Sequence, residues 1–151
     1  MKKIFSVLTL AAVMAAGVSM VGCSGSSSSS DVIKIGVFEP LTGANGAGGA
    51  DEYDGIKLAN KLAPTVLGKK IQLVAVDNKS DKVEAANAAT VLAQKEKVNA
   101  VIGSWGSSLS MAGGPIFAEA KIPAVAVSAT NPNVTKGNDY YFRVCFLDPF
   151  Q

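Results

Sequence analysis

Short apolar runs alternate along this chain with longer stretches of helical spacing, and this alternation constrains the fold more than any other feature. The apolar runs predict five strands, at residues 32–38, 71–76, 99–102, 123–127 and 140–144. Helices are predicted between them, at residues 51–63, 80–97 and 107–121. Because strands joined through helices pair in parallel, we predict an α/β fold, a parallel sheet sandwiched by helices.

Local sequence details refine the predicted helices. The acidic residues of 51–54 predict an acidic first turn for the first helix, at the positive end of its dipole. The four glycines of residues 41–50 predict a loop before that helix. Asp81 and Glu84 resemble a capping box at the start of the second helix. A Gly-Gly-Pro sequence at residues 113–115 predicts an interruption of the third helix.

The N-terminal segment has the order of a secretory signal. Two lysines precede an uncharged, mostly apolar run at residues 4–21, and the small residue Gly22 follows it. The sequence Met-Val-Gly-Cys at residues 20–23 resembles the lipobox of bacterial lipoproteins, in which the cysteine is acylated and becomes the mature N-terminus. The alternative is an uncleaved membrane helix, since eighteen apolar positions nearly span a bilayer.

These features divide the chain into three parts. Residues 1–22 are predicted to be a lipoprotein signal peptide, and residues 23–31 the lipidated Cys23 with a serine-rich linker. Residues 32–151 are predicted to fold as a domain. Removing the signal from the 151 residues leaves 129, which is enough for one domain with its own core.

Charge and composition argue against nucleic-acid binding and against the commonest kinds of catalysis. Without the two lysines of the signal, twelve basic and twelve acidic residues remain, so the electrostatic footprint of a nucleic-acid-binding protein is missing. The chain has no histidine, which removes the usual general base and metal ligand, and we predict no catalytic residue, metal or cofactor. Cys145 lies in an apolar stretch, where a buried structural thiol is predicted.

Three loops of small and hydroxyl-bearing residues follow predicted strands, at residues 41–49, 103–108 and 128–132. Open parallel sheets bind ligands beyond the carboxyl ends of their strands. We therefore expect a pocket that holds a small anionic group, such as a carboxylate, with hydroxyls and amides. The alternative is that these serines and glycines only form helix caps and turns. Trp105 is interpreted either as a core residue or as an aromatic wall of the pocket.

More specific motifs fail at single positions. A dinucleotide fingerprint from Gly46 would need a glycine where Asp51 stands, and a phosphate loop ending at Lys69 would need one at Ala63. No G-x-S-x-G sequence occurs, so Ser107 is a poor candidate for a nucleophile. The acidic residues of 51–54 are interpreted as a solvated helix start rather than a metal cluster.

The loops, in this order, resemble the leucine/isoleucine/valine-binding proteins of bacterial ABC importers, receptors with the type I periplasmic-binding fold. The resemblance is carried by the following residues, which extend over nearly all of 32–151: Ile35-Gly36, Pro40-Leu41-Thr42-Gly43, Gly55-Ile56-Lys57-Leu58-Ala59, Val76-Asp77-Asn78-Lys79-Ser80-Asp81, Val101-Ile102-Gly103, Ser107-Ser108, Ser128-Ala129-Thr130-Asn131-Pro132, Phe142-Arg143, Asp148 and Gln151. It implies a Rossmann-like lobe of a receptor that is lipid-anchored outside the cytoplasm, in the periplasm or on the outer face of the cytoplasmic membrane. The implied partners are an amino acid and the ABC permease subunits.

The resemblance also implies site residues. Carried over by position, Ser107 donates its hydroxyl to the α-carboxylate of the amino acid, and Thr130 hydrogen-bonds the same group. Ser128 offers its backbone carbonyl to the α-ammonium. The remaining residues of the predicted site come from the same two loops: Trp105, Ser108 and Ala129.

One position departs from the family pattern. Gly48 stands where the leucine-type binders place a pocket-lining tyrosine, which leaves a larger hydrophobic amino acid, or another small solute, open as the ligand. Family members are more than twice as long and have two lobes, so the chain is expected to be an N-terminal fragment that binds weakly alone. Two other hypotheses remain: the extracellular sensor module of a signalling receptor, and an α/β hydrolase using Ser107.

Overall fold

A six-stranded sheet organises the computed structural model, which describes residues 32–150. The strand order is β2-β3-β1-β4-β5-β6, and all neighbours pair in parallel except β2 with β3. The strands are β1 (Val32–Glu39), β2 (Thr65–Val66), β3 (Lys69–Asp77), β4 (Ala100–Gly103), β5 (Ala124–Ala126) and β6 (Tyr141–Arg143). The predicted mainly parallel sheet is confirmed. The predicted signal peptide, Cys23 and the serine-rich linker lie outside the described residues.

Three helices connect the strands: α1 (Gly46–Leu62), α2 (Lys82–Thr90) and α3 (Ser107–Glu119). A π-helical turn at Val91–Glu96 extends α2, and short 3-10 turns occur at Pro132–Val134 and Asp148–Phe150. Asp81 caps α2, since its carboxylate accepts hydrogen bonds from the backbone N–H groups of Val83 (2.8 Å) and Glu84 (3.0 Å). The Glu84 side chain pairs instead with Lys79, so only half of the expected capping box forms. No helix within residues 32–150 is long and apolar enough to cross a membrane.

The first helix begins earlier than its sequence indicates. The prediction of a loop over residues 41–50 is wrong in its second half, because α1 already starts at Gly46 and its first turn contains no acidic residue. Close packing explains why glycines occur at the start of α1. A side chain at Gly49 would collide with the Pro40 carbonyl, so glycine allows the helix backbone to approach the end of β1.

The predicted interruption of the third helix is also wrong, because α3 continues through Pro115. Pro115 and Met111, whose carbonyl lies one turn earlier, are both on the solvent side of α3, where water can satisfy the freed carbonyl. Gly113 lies on the buried side, and a Cβ there would be 2.8 Å from the Phe38 ring. The glycine therefore serves close helix–sheet packing rather than a break.

The hydrophobic core lies on one side of the sheet, which we call the α2/α3 face. Strand register aligns Gly36 of β1 with Val74 of β3 and Val101 of β4, and Val101 with Ala124 of β5. The largest buried side chains of the core cluster on this face: Phe38 on β1, Tyr141 on β6, Leu92 in the π-helical turn, and Leu109 and Phe117 on α3. The Phe38 and Phe117 rings meet edge to face with their centroids 5.4 Å apart.

The opposite side of the sheet, the α1 face, is less completely covered. Alternate strand residues point here, and α1 packs against them while leaving an apolar groove of about 700 Å³. The apolar side chains that line the groove are Ile35, Ile56, Val66, Ile71, Leu73, Ile102 and Val127. Asp51 and Glu52 close one end of it, next to the carboxyl ends of the strands.

Candidate functional site

A second cavity, of about 400 Å³, opens where β4 and β5 end, as expected for a parallel sheet. It is lined by Trp105, Gly106, Ser107, Ser128, Thr130, Cys145 and Phe146, and we call it the loop cavity. The structure therefore brings together four of the predicted site residues, which come from two loops more than twenty residues apart. The first predicted loop, residues 41–49, contributes none of the lining residues.

Ser107 combines a hydroxyl with a helix N-terminus. Its Oγ accepts a hydrogen bond from the Asn131 N–H (3.1 Å) and donates to no residue of 32–150, so the hydroxyl proton is available for a ligand in the loop cavity. Gly106 precedes α3, so no side chain caps the first turn of this thirteen-residue helix. Uncapped N–H groups and the helix dipole favour an anion at this end.

Thr130 and Ser128 form the other side of the loop cavity. The Thr130 carbonyl accepts from the Asp148 N–H (3.1 Å), which ties its loop to the turn after β6, and within residues 32–150 its hydroxyl makes no hydrogen bond. The Ser128 hydroxyl donates to Glu52 of α1. The carbonyl of Ser128 has no hydrogen-bond partner in the described part of the chain. The Thr130 hydroxyl and the Ser128 carbonyl are thus available to a ligand, the first as a hydrogen-bond donor and the second as an acceptor.

Two predicted site residues lie away from the loop cavity. Ala129 is fully buried, and its carbonyl accepts a hydrogen bond from Arg143 Nη1 (2.9 Å). Ser108 is exposed on the first turn of α3 and is not part of the lining. Each of the two is adjacent in sequence to a residue that lines the cavity. The Ala129 side chain is nevertheless buried in the core, and Ser108 is exposed to solvent.

The Trp105 indole belongs to the cavity wall and not to the core. Its side chain is 37% exposed. A Cβ at Gly48 would lie 2.5 Å from the indole, so Trp105 occupies the space that any side chain at position 48 would need. An aromatic group is therefore present near this position, but it comes from the loop after β4 and not from α1.

The prediction of a buried Cys145 is wrong. The thiol is free and half-buried, and it lines the loop cavity beside Phe146. The predicted strand 140–144 ends at Arg143, so the chain turns before Cys145 and carries these two residues over the loops. The strand ends one residue earlier than its apolar pattern indicates. Cys145 and Phe146 therefore lie at the loop cavity.

Sequence reasoning missed a pair of carboxyl groups beneath the loop cavity. Glu39 ends β1 and is fully buried, and its Oε2 accepts a hydrogen bond from the Trp105 N–H (2.7 Å). Burial, opposed by this hydrogen bond and reinforced by the charge of Glu52, raises the pKa of Glu39 to about 9. The interpretation of Glu52 as part of a solvated helix start is wrong, because it is half-buried and bonded to Ser128. The available signal was the acidic residue Glu39 directly after the apolar residues of the first strand.

Asp77, at the end of β3, holds the first loop in place. Its carboxylate accepts from the backbone N–H groups of Leu41 (2.8 Å) and Lys79 (2.8 Å) and from both the N–H and the hydroxyl of Thr42. Burial alone would raise the pKa of Asp77, but these hydrogen bonds outweigh it and hold the pKa below its usual value. Residues 32–150 contain no group of three or more side chains placed to hold a metal ion.

Comparison with known proteins identifies the class. Residues 32–149 match the family model of the periplasmic binding proteins, and the chain belongs to that family. The chain is 32% identical over 154 aligned residues to a Leu/Ile/Val-binding protein homolog of Brucella abortus, covering 99% of this chain and 39% of the relative.

Solved structures point to the same branch of the family. A leucine binding protein, LivK, from Thermotoga maritima is 48% identical with a TM-score of 0.77, over 79% of this chain and 34% of that one. LivJ from Streptococcus pneumoniae, solved with isoleucine, is 38% identical with a TM-score of 0.74, over 78% and 34%. The resemblance to the leucine/isoleucine/valine-binding proteins is thereby confirmed. The chain spans between a third and two fifths of the length of these relatives.

Proposed function

We propose that this chain supplies a ligand-binding lobe of an extracytoplasmic solute receptor that delivers branched-chain or other hydrophobic amino acids to an ABC importer. The observation that carries the proposal is the loop cavity, where the hydroxyls of Ser107 and Thr130 meet the uncapped N-terminus of α3. Its volume of about 400 Å³ lies within the range of about 300–1,000 Å³ usual for small-molecule sites.

The chemistry of the loop cavity fits the two charged ends of an amino acid. The α-carboxylate accepts from Ser107, Thr130 and the first-turn N–H groups of α3, which supply donors without a formal charge. The α-ammonium donates to the Ser128 carbonyl. The indole of Trp105 and the ring of Phe146 then lie beside the ligand side chain, which favours a hydrophobic amino acid.

The remaining parts of the chain fit delivery to a membrane transporter. We propose that residues 1–22 direct export, that lipid on Cys23 anchors the protein outside the cytoplasm, and that residues 23–31 act as a flexible tether to the permease subunits. We assign no catalytic role to Ser107. Its oxygen bonds only to a backbone amide among the described residues, and no side chain there is placed to take its proton.

Calorimetric titration tests the binding function. Leucine, isoleucine, valine and phenylalanine are titrated into the longest natural polypeptide that contains this chain and, in parallel, into residues 24–151. We expect micromolar affinity, about 8 kcal/mol, for the longer form and weak or no binding by residues 24–151, since a few charge-assisted hydrogen bonds of about 1.5–3 kcal/mol each must also offset ordering costs.

Substitution at the loop cavity tests its assignment. Ser107→Ala removes a hydroxyl donor to the carboxylate, and we expect an affinity loss of about tenfold or more. Thr65→Ala, on the exposed edge strand β2, is the matched hydroxyl deletion and should bind as the unmodified protein does. The proposal fails if no amino acid binds the longer form, or if the two variants bind equally well.

A further inference from the structure

We propose that Glu39 and Glu52 share one proton as a carboxyl pair, and that this pair positions the two loops of the ligand site. The assignment of these as positioning residues rests on the proposed function, but the shared proton itself does not. Neither residue lines the loop cavity. They act through the residues they hold, one in each loop.

The first arm of the pair holds the loop after β4. Glu39 is the last residue of β1 and has no exposed surface. Its Oε2 accepts from the Trp105 backbone N–H at 2.7 Å, across 66 residues of sequence. The α-carbon of Gly103 packs against the other oxygen so closely that a Cβ there would lie 2.6 Å from Glu39 Oε1. Glu39 thus fixes the backbone that carries Trp105 into the cavity wall.

The second arm holds the loop after β5. Glu52 lies in α1, and its Oε1 accepts a hydrogen bond from the Ser128 hydroxyl across 76 residues of sequence. That bond sets the orientation of Ser128, whose free carbonyl is the proposed acceptor for the ligand ammonium. The two carboxyl groups together therefore connect α1 and β1 to both loops of the site.

One oxygen on each carboxyl group is left over. Glu39 Oε1 and Glu52 Oε2 are both buried, and neither has a hydrogen-bond partner among residues 32–150. The two side chains lie within hydrogen-bonding range of each other, and burial followed by the charge of Glu52 raises the pKa of Glu39 to about 9. Two carboxylates cannot hydrogen-bond without a proton, whereas a carboxylic acid and a carboxylate can. One proton satisfies both leftover oxygens.

The surroundings offer no positive charge that would replace the proton. Neither carboxyl group forms an ion pair within the described chain. The neighbouring elements carry the following titratable and charged groups: Lys34 on β1, Asp51, Tyr53, Asp54, Lys57 and Lys61 on α1, Lys69, Lys70 and Asp77 on β3, and Tyr141 and Arg143 on β6. Of the lysines, Lys34 pairs with Glu96 and Lys57 with Asp54. The Tyr141 hydroxyl donates to the Gly103 carbonyl (2.6 Å), and Arg143 donates to the Ala129 carbonyl and Thr135. Loss of the proton therefore places two unscreened negative charges side by side.

Fluorescence of the single tryptophan reports on the pair directly. Trp105 is the only tryptophan of the chain, and its backbone N–H is bonded to Glu39. We expect its emission to show one transition near pH 9 when residues 24–151 are titrated from pH 6 to pH 10.5. Glu39→Gln and Glu52→Gln each provide a neutral amide that keeps the hydrogen bond to the loop. Glu39→Gln should abolish this transition. Glu52→Gln removes only the contribution of Glu52 and should move the transition to lower pH, because Glu39 stays buried.

Glu119→Gln is the matched control, since Glu119 is exposed at the end of α3. We expect Glu119→Gln to retain the transition. Any fluorescence change caused by tyrosine ionisation should appear equally in this control and in the other variants. A transition that persists in Glu39→Gln, or that is absent from the unmodified protein, overturns the shared proton. These outcomes do not depend on any ligand.

Binding across the same pH range tests the positioning role separately. We expect the affinity of the longer polypeptide for leucine to fall between pH 7 and pH 10 by about tenfold more in the unmodified protein than in Glu39→Gln. The comparison cancels the titration of the amino acid's own ammonium. Equal pH profiles with an intact fluorescence transition refute positioning but leave the proton pair. No leucine binding at any pH refutes the proposed function instead.

Discussion

The two faces of the sheet use the same strands for different purposes. On the α2/α3 face, Phe38 and its neighbours are fully buried under two helices. On the α1 face, one helix covers the strands and an apolar groove remains. The Glu39–Glu52 pair lies at the end of this face where the carboxyl ends of the strands are. Consecutive residues of β1, Phe38 and Glu39, therefore point into opposite environments. The comparison indicates that the hydrophobic core is concentrated on one face, whereas the carboxyl groups that hydrogen-bond to the two loops of the candidate site lie on the other.

Side-chain size explains how the α2/α3 face closes. Helix α2 contributes Ala85, Ala88 and Ala89, and α3 contributes Gly113, so both helices lie close to the sheet. Small residues on the helices leave room for large ones such as Phe38 and Phe117. On the α1 face, the exposed Leu58 and Leu62 point away from the sheet and do not fill the groove.

The largest expected difference between the faces is in the cost of truncating a core side chain. Phe38→Ala removes a fully buried ring from the α2/α3 face, and we expect a loss of about 3–5 kcal/mol in the free energy of unfolding. Leu73→Ala, beside the half-covered groove, should cost about 1 kcal/mol. Urea denaturation of both variants measures the difference. Equal losses would show that the α1 face is as well packed as the other.

The next effect concerns the pH dependence of stability. The carboxyl of Glu39 has an ordinary pKa of 4.5 and a pKa of about 9 in the folded protein, so the folded state holds the proton more tightly. Its stabilising contribution is therefore complete below about pH 4.5 and is lost as the pH rises to about 9, with a slope of at most about 1.4 kcal/mol per pH unit.

Urea midpoints between pH 5 and pH 9 test this slope. In Glu39→Gln the side chain at position 39 no longer titrates. We therefore expect the urea midpoint of this variant to depend less on pH and to be higher than that of the unmodified protein at pH 9. Glu119→Gln should reproduce the unmodified profile. Parallel profiles for the unmodified protein and Glu39→Gln would mean that Glu39 is not a buried acid.

The smallest expected effect compares two helical glycines. Gly113→Ala places a methyl group 2.8 Å from the buried Phe38 ring, and the overpacking cost of about 1–3 kcal/mol should exceed the gain in helix propensity. At Gly55 of α1 no atom lies within 4 Å of an added Cβ, so Gly55→Ala should stabilise by about 0.5–1 kcal/mol. Thermal denaturation reports both signs, and stabilisation by both substitutions would contradict the close packing of α3.

Part of the site was predictable from sequence and part was not. The loops that contain Ser107, Ser128 and Thr130 were predicted to meet because loops after parallel strands lie at one edge of the sheet, and the three residues do line one cavity. Their roles toward a ligand came from the family resemblance and stay predictions. Cys145 was misplaced because its apolar neighbours extend the strand pattern past the point where β6 ends. Glu52 was misread because an acidic residue near a helix start looks the same in sequence whether water or a buried serine faces it.

The amino-acid sequence by itself determined the alternation of the parallel strands with helices and the edge of the sheet at which the candidate site lies, but it did not indicate the short antiparallel strand β2. Those properties follow from local periodicity and from the geometry of strand–helix–strand connections, which need no knowledge of distant contacts. Only the tertiary structure decided that Trp105 fills the space beside Gly48 and that Glu39 meets Glu52 beneath the loops. These contacts join residues far apart in sequence, and burial, which no local pattern encodes, changes their chemistry.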